Sequence, residues 1–129
     1  MTLSDKGYTS FDLTTYRVKT KSLQKWCKAY AVTTNDGRIS LCSGRYRITT
    51  IDDHGNVKDT LNTNYDPNYM CTSLSGAIYY TSTSPANSIY CLKAGDNIEE
   101  TEFFSNPDLR YPKGLAIDEH GNIYVASTG

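Results

Sequence analysis

The sequence predicts an all-β protein, a partial β-propeller made of short antiparallel blades of four strands, and three observations carry this prediction. A seven-residue pattern with Gly first, Ile third, a large apolar residue fifth and Ser seventh occurs at residues 37–43, 76–82 and 121–127. The three copies begin 39 and 45 residues apart, which is a period typical of propeller blades. The segments between turns are five to six residues long and rich in Ile, Val, Thr and Tyr, which favours strands over helices.

The clearest predicted blade covers residues 28–65. Its turns contain Asn, Asp and Gly, and Gly tolerates the left-handed backbone that short hairpin loops require. Between these turns, four strands are expected at 30–33, 38–42, 46–51 and 57–61.

The next predicted blade covers residues 66–105 and repeats the order of strands and turns. When two extra residues are allowed in the loop at 82–86, Ile48 of the first blade matches Ile89 of the second, and Ile51 matches Leu92. The four strands of this blade are expected at 69–73, 77–81, 88–92 and 97–103.

Both ends of the chain are predicted to be incomplete blades. Residues 1–27 contain a predicted hairpin of strands 8–11 and 16–19, followed by a connection over 20–28. Residues 106–129 contain two predicted strands, at 115–118 and 122–126. The chain is therefore expected to form a single domain of about two and a half blades and to be a fragment of a longer protein.

Charge and composition limit the class of protein. The 129 residues carry a net charge of −1, and no apolar run approaches the roughly 20 residues that span a bilayer, so we expect no membrane association. The first ten residues lack the apolar core of a secretory signal, which favours the cytoplasm. Residues 1–65 contain 10 Lys and Arg against 6 Asp and Glu, so RNA is an alternative partner, although these cations also suit the solvent face of a strand.

The four cysteines indicate neither a metal nor a cofactor. Cys27, Cys42, Cys71 and Cys91 are 15, 29 and 20 residues apart, whereas zinc sites usually come as closely spaced pairs of ligands. Three of them fall in predicted strands, where a small buried thiol is the simplest interpretation. We predict free thiols and no bound metal.

No residue pattern indicates a catalytic centre. His54 and His120, the two histidines, both precede Gly-Asn in predicted turns of different kinds, so we expect them to be exposed and far apart. Asp52 and Asp118 precede the same turns, where a carboxylate accepts backbone N–H bonds. The sequence contains no nucleophile elbow, phosphate-binding loop or His-Glu-x-x-His motif, and we therefore predict that this chain is not an enzyme.

Residues 106–129 resemble an NHL repeat. The segment contains Pro112-Lys113-Gly114, an apolar strand that ends at Asp118, the Gly121-Asn122 turn, and a second apolar strand that runs into Thr128-Gly129. The two upstream units match only at Gly37-Arg38-Ile39 and Gly76-Ala77-Ile78 and lack the Pro-x-Gly and the Asp. This divergence is similar to that of the C-terminal propellers of tripartite-motif or B-box proteins.

The resemblance implies a six-bladed propeller of NHL or TolB-like type that recognises a protein or RNA. A full-length parent of this family carries RING and B-box zinc domains and can be a ubiquitin ligase, but no RING is visible in this sequence. Related six-bladed folds include calcium-dependent lactonases, so a lactonase-like hydrolase is an alternative function. None of its metal ligands can be matched to a residue here.

The predicted function is therefore a protein-binding module that acts as an adaptor. The loops after second strands and the connections between blades are expected to form its binding face, with the candidate residues Arg45, Tyr65, Asn68, Asn87, Tyr111 and Lys113. Aromatic residues in loops are good binding anchors because they bury a large area with few rotatable bonds. An open stack of blades exposes strand edges, so self-association or marginal stability of the isolated chain is also expected.

Overall fold

A computed structural model of the chain describes residues 2–4, 7–11, 18–22, 32–35, 38–42, 46–52, 54–82, 84–93 and 98–128. Within these ranges the side chains are described for Ile39 and Ser40 and from Tyr46 onward.

The described residues form four antiparallel sheets. The first has the strand order β1 (Thr2–Ser4), β2 (Gly7–Phe11) and β3 (Val18–Ser22). The second has the order β4 (Val32–Asn35), β5 (Arg38–Cys42), β6 (Arg47–Ile51) and β7 (Val57–Asn62). The third has the order β8 (Pro67–Thr72), β9 (Ile78–Ser82), β10 (Ser88–Lys93) and β11 (Glu99–Ser105), and the fourth pairs β12 (Pro112–Ile117) with β13 (Ile123–Ser127). The predicted all-β partial propeller is confirmed.

The strands differ from the predicted ones mainly at their ends. In the first sheet, Thr2–Ser4 pairs with β2 as an additional edge strand, and β3 extends to Ser22 into the predicted connection. These segments are polar and show no apolar alternation, so only the backbone pairing of an antiparallel ladder identifies them as strands. The division of the chain into predicted blades stays a prediction.

The core lies between the second and third sheets. Ile48 and Leu61 are neighbours across β6 and β7 and are buried. They form one cluster with five buried residues of the third sheet, which are Met70, Ile78, Tyr80, Tyr90 and Leu92. Packing two sheets face to face is what places a propeller's apolar residues between neighbouring blades.

β10 is the most deeply buried strand of the described chain. Residues 88–92 are all buried, so side chains on both faces of this strand are covered. One face contacts the second sheet through the core cluster, and the fourth sheet lies against β8 and β9 on the other side. The matched pairs Ile48 and Ile89, and Ile51 and Leu92, are all buried, as the alignment of the two units predicts.

The fourth sheet has an apolar groove of about 430 Å³ along its two strands. Its lining residues are Gly114, Leu115, Ala116, Tyr124, Val125 and Ala126. In a closed propeller such a face is covered by the neighbouring blade. Self-association through this surface stays a prediction.

The hairpin turns that follow β6 and β12 have the same structure. Asp52 Oδ1 accepts the backbone N–H groups of His54 and Asn56, both at 2.9 Å. Asp118 Oδ1 accepts those of His120 and Asn122, at 2.9 and 2.8 Å. The predicted role of the two aspartates in fixing these turns is therefore confirmed.

These hydrogen bonds also change the acidity of the two aspartates. The backbone N–H of Asn56 is the main cause that lowers the pKa of Asp52, and the side-chain amide of Asn122 is the main cause that lowers that of Asp118. Lys58 adds an ion pair to Asp52 at 3.6 Å. A lowered pKa favours the ionised form of each aspartate. Each turn is therefore stabilised at pH values above the usual pKa of an aspartate, and this stabilisation is lost as the pH falls through the lowered pKa.

A substitution at Gly121 tests whether this turn requires a left-handed backbone. The φ of Gly121 is +85°, and a Cβ added at this position meets nothing within 4 Å, so the strain of a substitution comes from the backbone alone. Gly121→Ala is expected to lower the free energy of unfolding by about 1–2 kcal/mol, because L-residues disfavour the left-handed region. Urea unfolding followed by circular dichroism measures this change.

Gly114→Ala is the matched control in the same sheet. A Cβ at Gly114 lies 3.7 Å from the Ala126 Cβ, which is an ordinary van der Waals contact, and the backbone there is not left-handed. We expect this variant to be at least as stable as the wild type, because Ala restricts the unfolded chain more than Gly. Equal losses in both variants would contradict the backbone explanation.

Two of the cysteines are free thiols, as predicted. Cys71 and Cys91 are buried and both pair in register with Tyr79, so β9 separates them. Burial raises the pKa of the Cys71 thiol to about 11. Cys27 lies outside the described residues, as does the side chain of Cys42.

Candidate functional site

The loops of the second to fourth sheets divide between two ends of the strands. Because the strands are antiparallel, the turns at 52–56, 73–77 and 118–122 lie at one end, which we call the turn end. The loop after β9 and the connections that lead to β8 and β12 lie at the other end, which we call the loop end. The loop end carries the segments that vary more in length and sequence, and binding residues are usually found in such loops.

A groove of about 460 Å³ opens at the loop end, which we call the loop groove. It lies between the loop after β9 and the connection from β11 to β12. The first segment contributes Pro85, Ala86 and Asn87, and the second contributes Pro107, Leu109, Arg110 and Tyr111. The groove therefore combines apolar walls with one amide and one guanidinium group.

Backbone hydrogen bonds hold the two walls of the loop groove together. The Tyr111 N–H donates to the Ala86 carbonyl at 2.9 Å, and the Asn106 N–H donates to the Asn87 carbonyl at 3.3 Å. The connection is also folded on itself, since the Leu109 N–H donates to the Asn106 carbonyl at 2.9 Å. The relative position of the walls is therefore set before any ligand arrives.

A cluster of polar groups around the buried Ser88 lies next to the groove. The Ser88 hydroxyl is 3.3 Å from Asn87 Oδ1, 3.2 Å from Glu102 Oε1 and 3.1 Å from the Ser105 hydroxyl. Ser88 is itself buried in β10. The Asn87 side-chain oxygen is therefore within hydrogen-bonding distance of a buried hydroxyl.

Tyr111 is the most conspicuous residue of the loop groove. Its φ is +47°, and its side chain is 65% exposed. A left-handed backbone is unusual for an aromatic residue and costs free energy, and such strained residues cluster at binding and active sites. Tyr46, which is also exposed, has a φ of +56°, and its carbonyl accepts the Thr63 N–H in the loop between β5 and β6.

The structure places the six predicted binding residues as follows. Asn87 and Tyr111 both line the loop groove. Lys113 is exposed in β12, two residues after Tyr111, and Asn68 is half-buried in β8. Tyr65 belongs to the connection before β8, and Arg45 lies outside the described residues.

The ring of Tyr65 packs against the core, so it is only partly available to a binding partner. Its ring stacks on that of buried Tyr90, with centroids 4.1 Å apart and an interplanar angle of 14°. Next to this pair, the Tyr80 hydroxyl donates to Glu100, and Glu100 Oε2 accepts the Asn64 N–H at 2.9 Å. Since residues 64 and 65 connect the second and third sheets, these contacts tie the two sheets together.

Arg110 is the principal residue of the groove that the sequence analysis did not select. It lies in the connection next to Tyr111, and a cation beside an aromatic residue in a predicted inter-blade connection was the available signal. Pro85, Pro107 and Leu109 were also not selected, because their contribution depends on the two loops meeting.

The described residues offer no cluster that resembles a metal centre. They contain no group of three or more His, Cys, Asp or Glu side chains placed to hold a metal ion. His54 and His120 are exposed and lie in turns of different sheets. Within these same residues there is also no helix with the length and apolarity needed to cross a membrane.

Comparison with known proteins supports the propeller. A family model described as a β-propeller repeat matches residues 104–129, the segment that contains the fourth sheet and the inter-blade connection. No curated protein matches this sequence.

Similar solved structures extend the likeness to most of the chain. A streptogramin B lyase matches with a TM-score of 0.68 and 15% identity over 95% of this chain and 42% of that one. A virginiamycin B lyase from Staphylococcus aureus matches at 0.56 and 19% identity over 77% and 34%, and a gluconolactonase from Xanthomonas campestris at 0.58 and 8% over 84% and 37%. This chain is a β-propeller in fold. It spans 34 to 42% of the length of these structures.

The comparisons correct one prediction. The three similar structures are named as enzymes, two lyases and a lactonase, whereas the sequence analysis predicts that this chain is not an enzyme. That prediction is overturned, because it rests on the absence of three sequence motifs, whereas the scaffold of this chain is shared with proteins that are named as enzymes. At 8 to 19% identity the likeness is one of fold.

Proposed function

We propose that this chain is part of a six-bladed, NHL-type propeller that binds a protein partner in the loop groove. The single observation that carries the proposal is the loop groove itself, in which apolar walls, an exposed aromatic ring and an unburied cation are held together by backbone hydrogen bonds. Protein-binding sites are enriched in Tyr and Arg and combine a few such anchors with an apolar surround. A preformed groove also lowers the entropy cost of binding.

The segment over residues 106–129 supports the NHL assignment within this proposal. It contains the Pro-x-Gly, the turn aspartate and the Gly-Asn turn, and it coincides with the match to a β-propeller repeat. We propose on this basis that the propeller serves as the recognition part of a cytoplasmic tripartite-motif-like adaptor. Detection of RING or B-box modules in the same transcript would test that architecture directly.

Tyr111→Ala is the variant that tests binding in the loop groove. Phage-displayed peptides of twelve residues are first selected on the wild-type chain, and the affinities of the selected peptides are then measured by fluorescence polarisation. Loss of an exposed aromatic anchor at the centre of a site is expected to weaken binding at least tenfold, or about 1.4 kcal/mol.

Tyr124→Ala is the matched control for this experiment. Tyr124 is 60% exposed, nearly as much as Tyr111, but it lies at the start of β13 next to the turn end. The affinity of the Tyr124→Ala variant for the same peptides is expected to stay within twofold of that of the wild type. Equal affinities of the Tyr111→Ala variant and the wild type would exclude the loop groove as the binding site.

A hydrolase or lyase is the second candidate function, and the names of the three similar structures favour it. We propose no step that uses a metal for this candidate. Incubation of the chain with gluconolactone or virginiamycin B, followed by chromatography, tests this candidate. Conversion above the buffer control would establish it, and conversion that is lost in Tyr111→Ala would place it in the loop groove.

A further inference from the structure

We propose that the partner of the loop groove is an acidic peptide segment, in which one carboxylate pairs with the Arg110 guanidinium. This inference rests on the proposed function of the groove and adds the chemistry of its ligand. It combines three features of the described residues, which are a free guanidinium, a neighbouring aromatic ring in a strained backbone, and the distribution of charge over the C-terminal half.

Arg110 has no internal partner among the residues that the structure describes. It is exposed, it lines the loop groove, and it forms neither a hydrogen bond nor an ion pair with them. A guanidinium group presents donors in a planar fork that matches a carboxylate with two parallel hydrogen bonds. Because Arg110 and Tyr111 both line the loop groove, the guanidinium offers the groove one directed charge next to an apolar surface.

Arg110 is the one cation among the residues that line the loop groove, and few other cations lie in this half of the chain. Residues 66–129 contain three Lys and Arg against eight Asp and Glu. Two of these three cations are Arg110 and Lys113, and the remaining one, Lys93, ends β10 next to the turn end. Asp108 is an exposed counter-charge in the same connection, and Glu102 Oε1 lies 3.2 Å from the Ser88 hydroxyl beside the groove, so Arg110 is a single directed cation within acidic surroundings.

This distribution favours a peptide over a nucleic acid. A phosphate backbone brings a charge with every nucleotide and is repelled by the acidic surroundings, whereas a peptide can bring a single carboxylate to Arg110. The remaining walls of the groove, at Pro85, Pro107 and Leu109, suit an apolar side chain next to that carboxylate. A volume of about 460 Å³ accommodates such a short segment.

The test uses the peptides selected on the wild-type chain and resynthesised with each Asp or Glu replaced by its amide. Each selected peptide is expected to contain at least one Asp or Glu. Replacing one of these carboxylates is expected to weaken binding to the wild type about tenfold. The same replacement is expected to change the affinity for the Arg110→Gln variant less than twofold. Arg110→Gln itself is expected to lose about tenfold with the unmodified peptides.

Two further variants distinguish a direct pair of Arg110 with a peptide carboxylate from long-range electrostatic attraction. Asp108→Asn is expected to strengthen binding two- to threefold, because it removes the counter-charge beside Arg110. Lys93→Gln changes the net charge as Arg110→Gln does but lies near the turn end, so it is expected to leave the affinity unchanged. Equal losses in Lys93→Gln and Arg110→Gln would overturn the directed pair.

The outcomes distinguish this inference from the proposed function. If the selected peptides are neutral or basic, and their affinity depends on Tyr111 but not on Arg110, the proposal of an acidic ligand is overturned. The proposal of a binding site in the loop groove then still stands. Peptides that depend on neither residue, or the failure of the selection, would overturn both. A twelve-nucleotide uridine RNA that binds more tightly than any peptide, and loses affinity in Arg110→Gln, would replace the acidic peptide with a phosphate ligand.

Discussion

Ile48→Ala is expected to lower the free energy of unfolding by about 2–5 kcal/mol, which is the range for truncating a fully buried Ile to Ala. Ile48 is completely buried in β6 and belongs to the cluster that joins the second and third sheets. The substitution removes apolar contacts and leaves a cavity between two sheets that are held in place by their own hydrogen bonds, so the site collapses only in part.

Urea unfolding of the variant measures this loss, with Leu74→Ala as the control. Leu74 is 84% exposed in the turn after β8, so its truncation is expected to change stability by less than about 0.5 kcal/mol. If the two sheets unfold separately, Ile48→Ala will broaden the transition as well as shift it. A variant as stable as the wild type would contradict the assignment of this cluster as the core.

Tyr80→Phe is expected to cost about 1.5–3 kcal/mol at neutral pH, the range for a hydrogen bond to a charged group. Tyr80 is fully buried, and its hydroxyl donates to Glu100, which also accepts the Asn64 N–H. Without the hydroxyl, the Glu100 carboxylate keeps one protein donor and the contact between the second and third sheets is weaker. Tyr69→Phe, at an exposed position of β8, is the control with an expected change below about 0.5 kcal/mol.

The pH dependence of the same variant gives a second measurement. Burial, and then the hydrogen bond to Glu100, raises the pKa of Tyr80 well above its usual range. The folded chain therefore keeps a proton that the unfolded chain loses above about pH 10, so stability falls as the pH rises, by up to about 1.4 kcal/mol per pH unit for each retained proton.

Tyr80→Phe removes this one contribution. Its stability is expected to fall less steeply between pH 10 and about 11.5 than that of the wild type. The decline does not vanish, because burial also raises the pKa of Tyr79 and Tyr90. Identical slopes in the variant and the wild type would show that Tyr80 ionises equally in both states.

The repeated turns were predictable because their determinants are local. Asp52 and Asp118 each accept hydrogen bonds from residues two and four positions later, and Gly55 and Gly121 supply the left-handed backbone that follows. All of these atoms lie within five residues of one another. A short segment of sequence therefore contains the whole cause of the turn.

The candidate site was only partly predictable. Asn87 and Tyr111 were selected because they lie in loops at the expected end of the strands, and both line the loop groove. Tyr65 was selected by the same argument, but its ring stacks on Tyr90. Residue type and loop position do not distinguish a tyrosine that lines the groove from one that packs on the core. Whether an aromatic ring packs or remains exposed depends on partners that are distant in sequence.

Most of the strands, the repeat of about 40 residues and the turns follow from the sequence alone, since alternation, spacing and turn chemistry are properties of neighbouring residues. The edge strand β1, the side chains buried between sheets and the loops that meet became visible only in the folded chain. Tyr80 reaches Glu100 across β10, and Tyr111 meets Ala86 across 25 residues of chain. Such contacts require two sheets or two loops to be placed first, and that placement depends on the packing of whole faces.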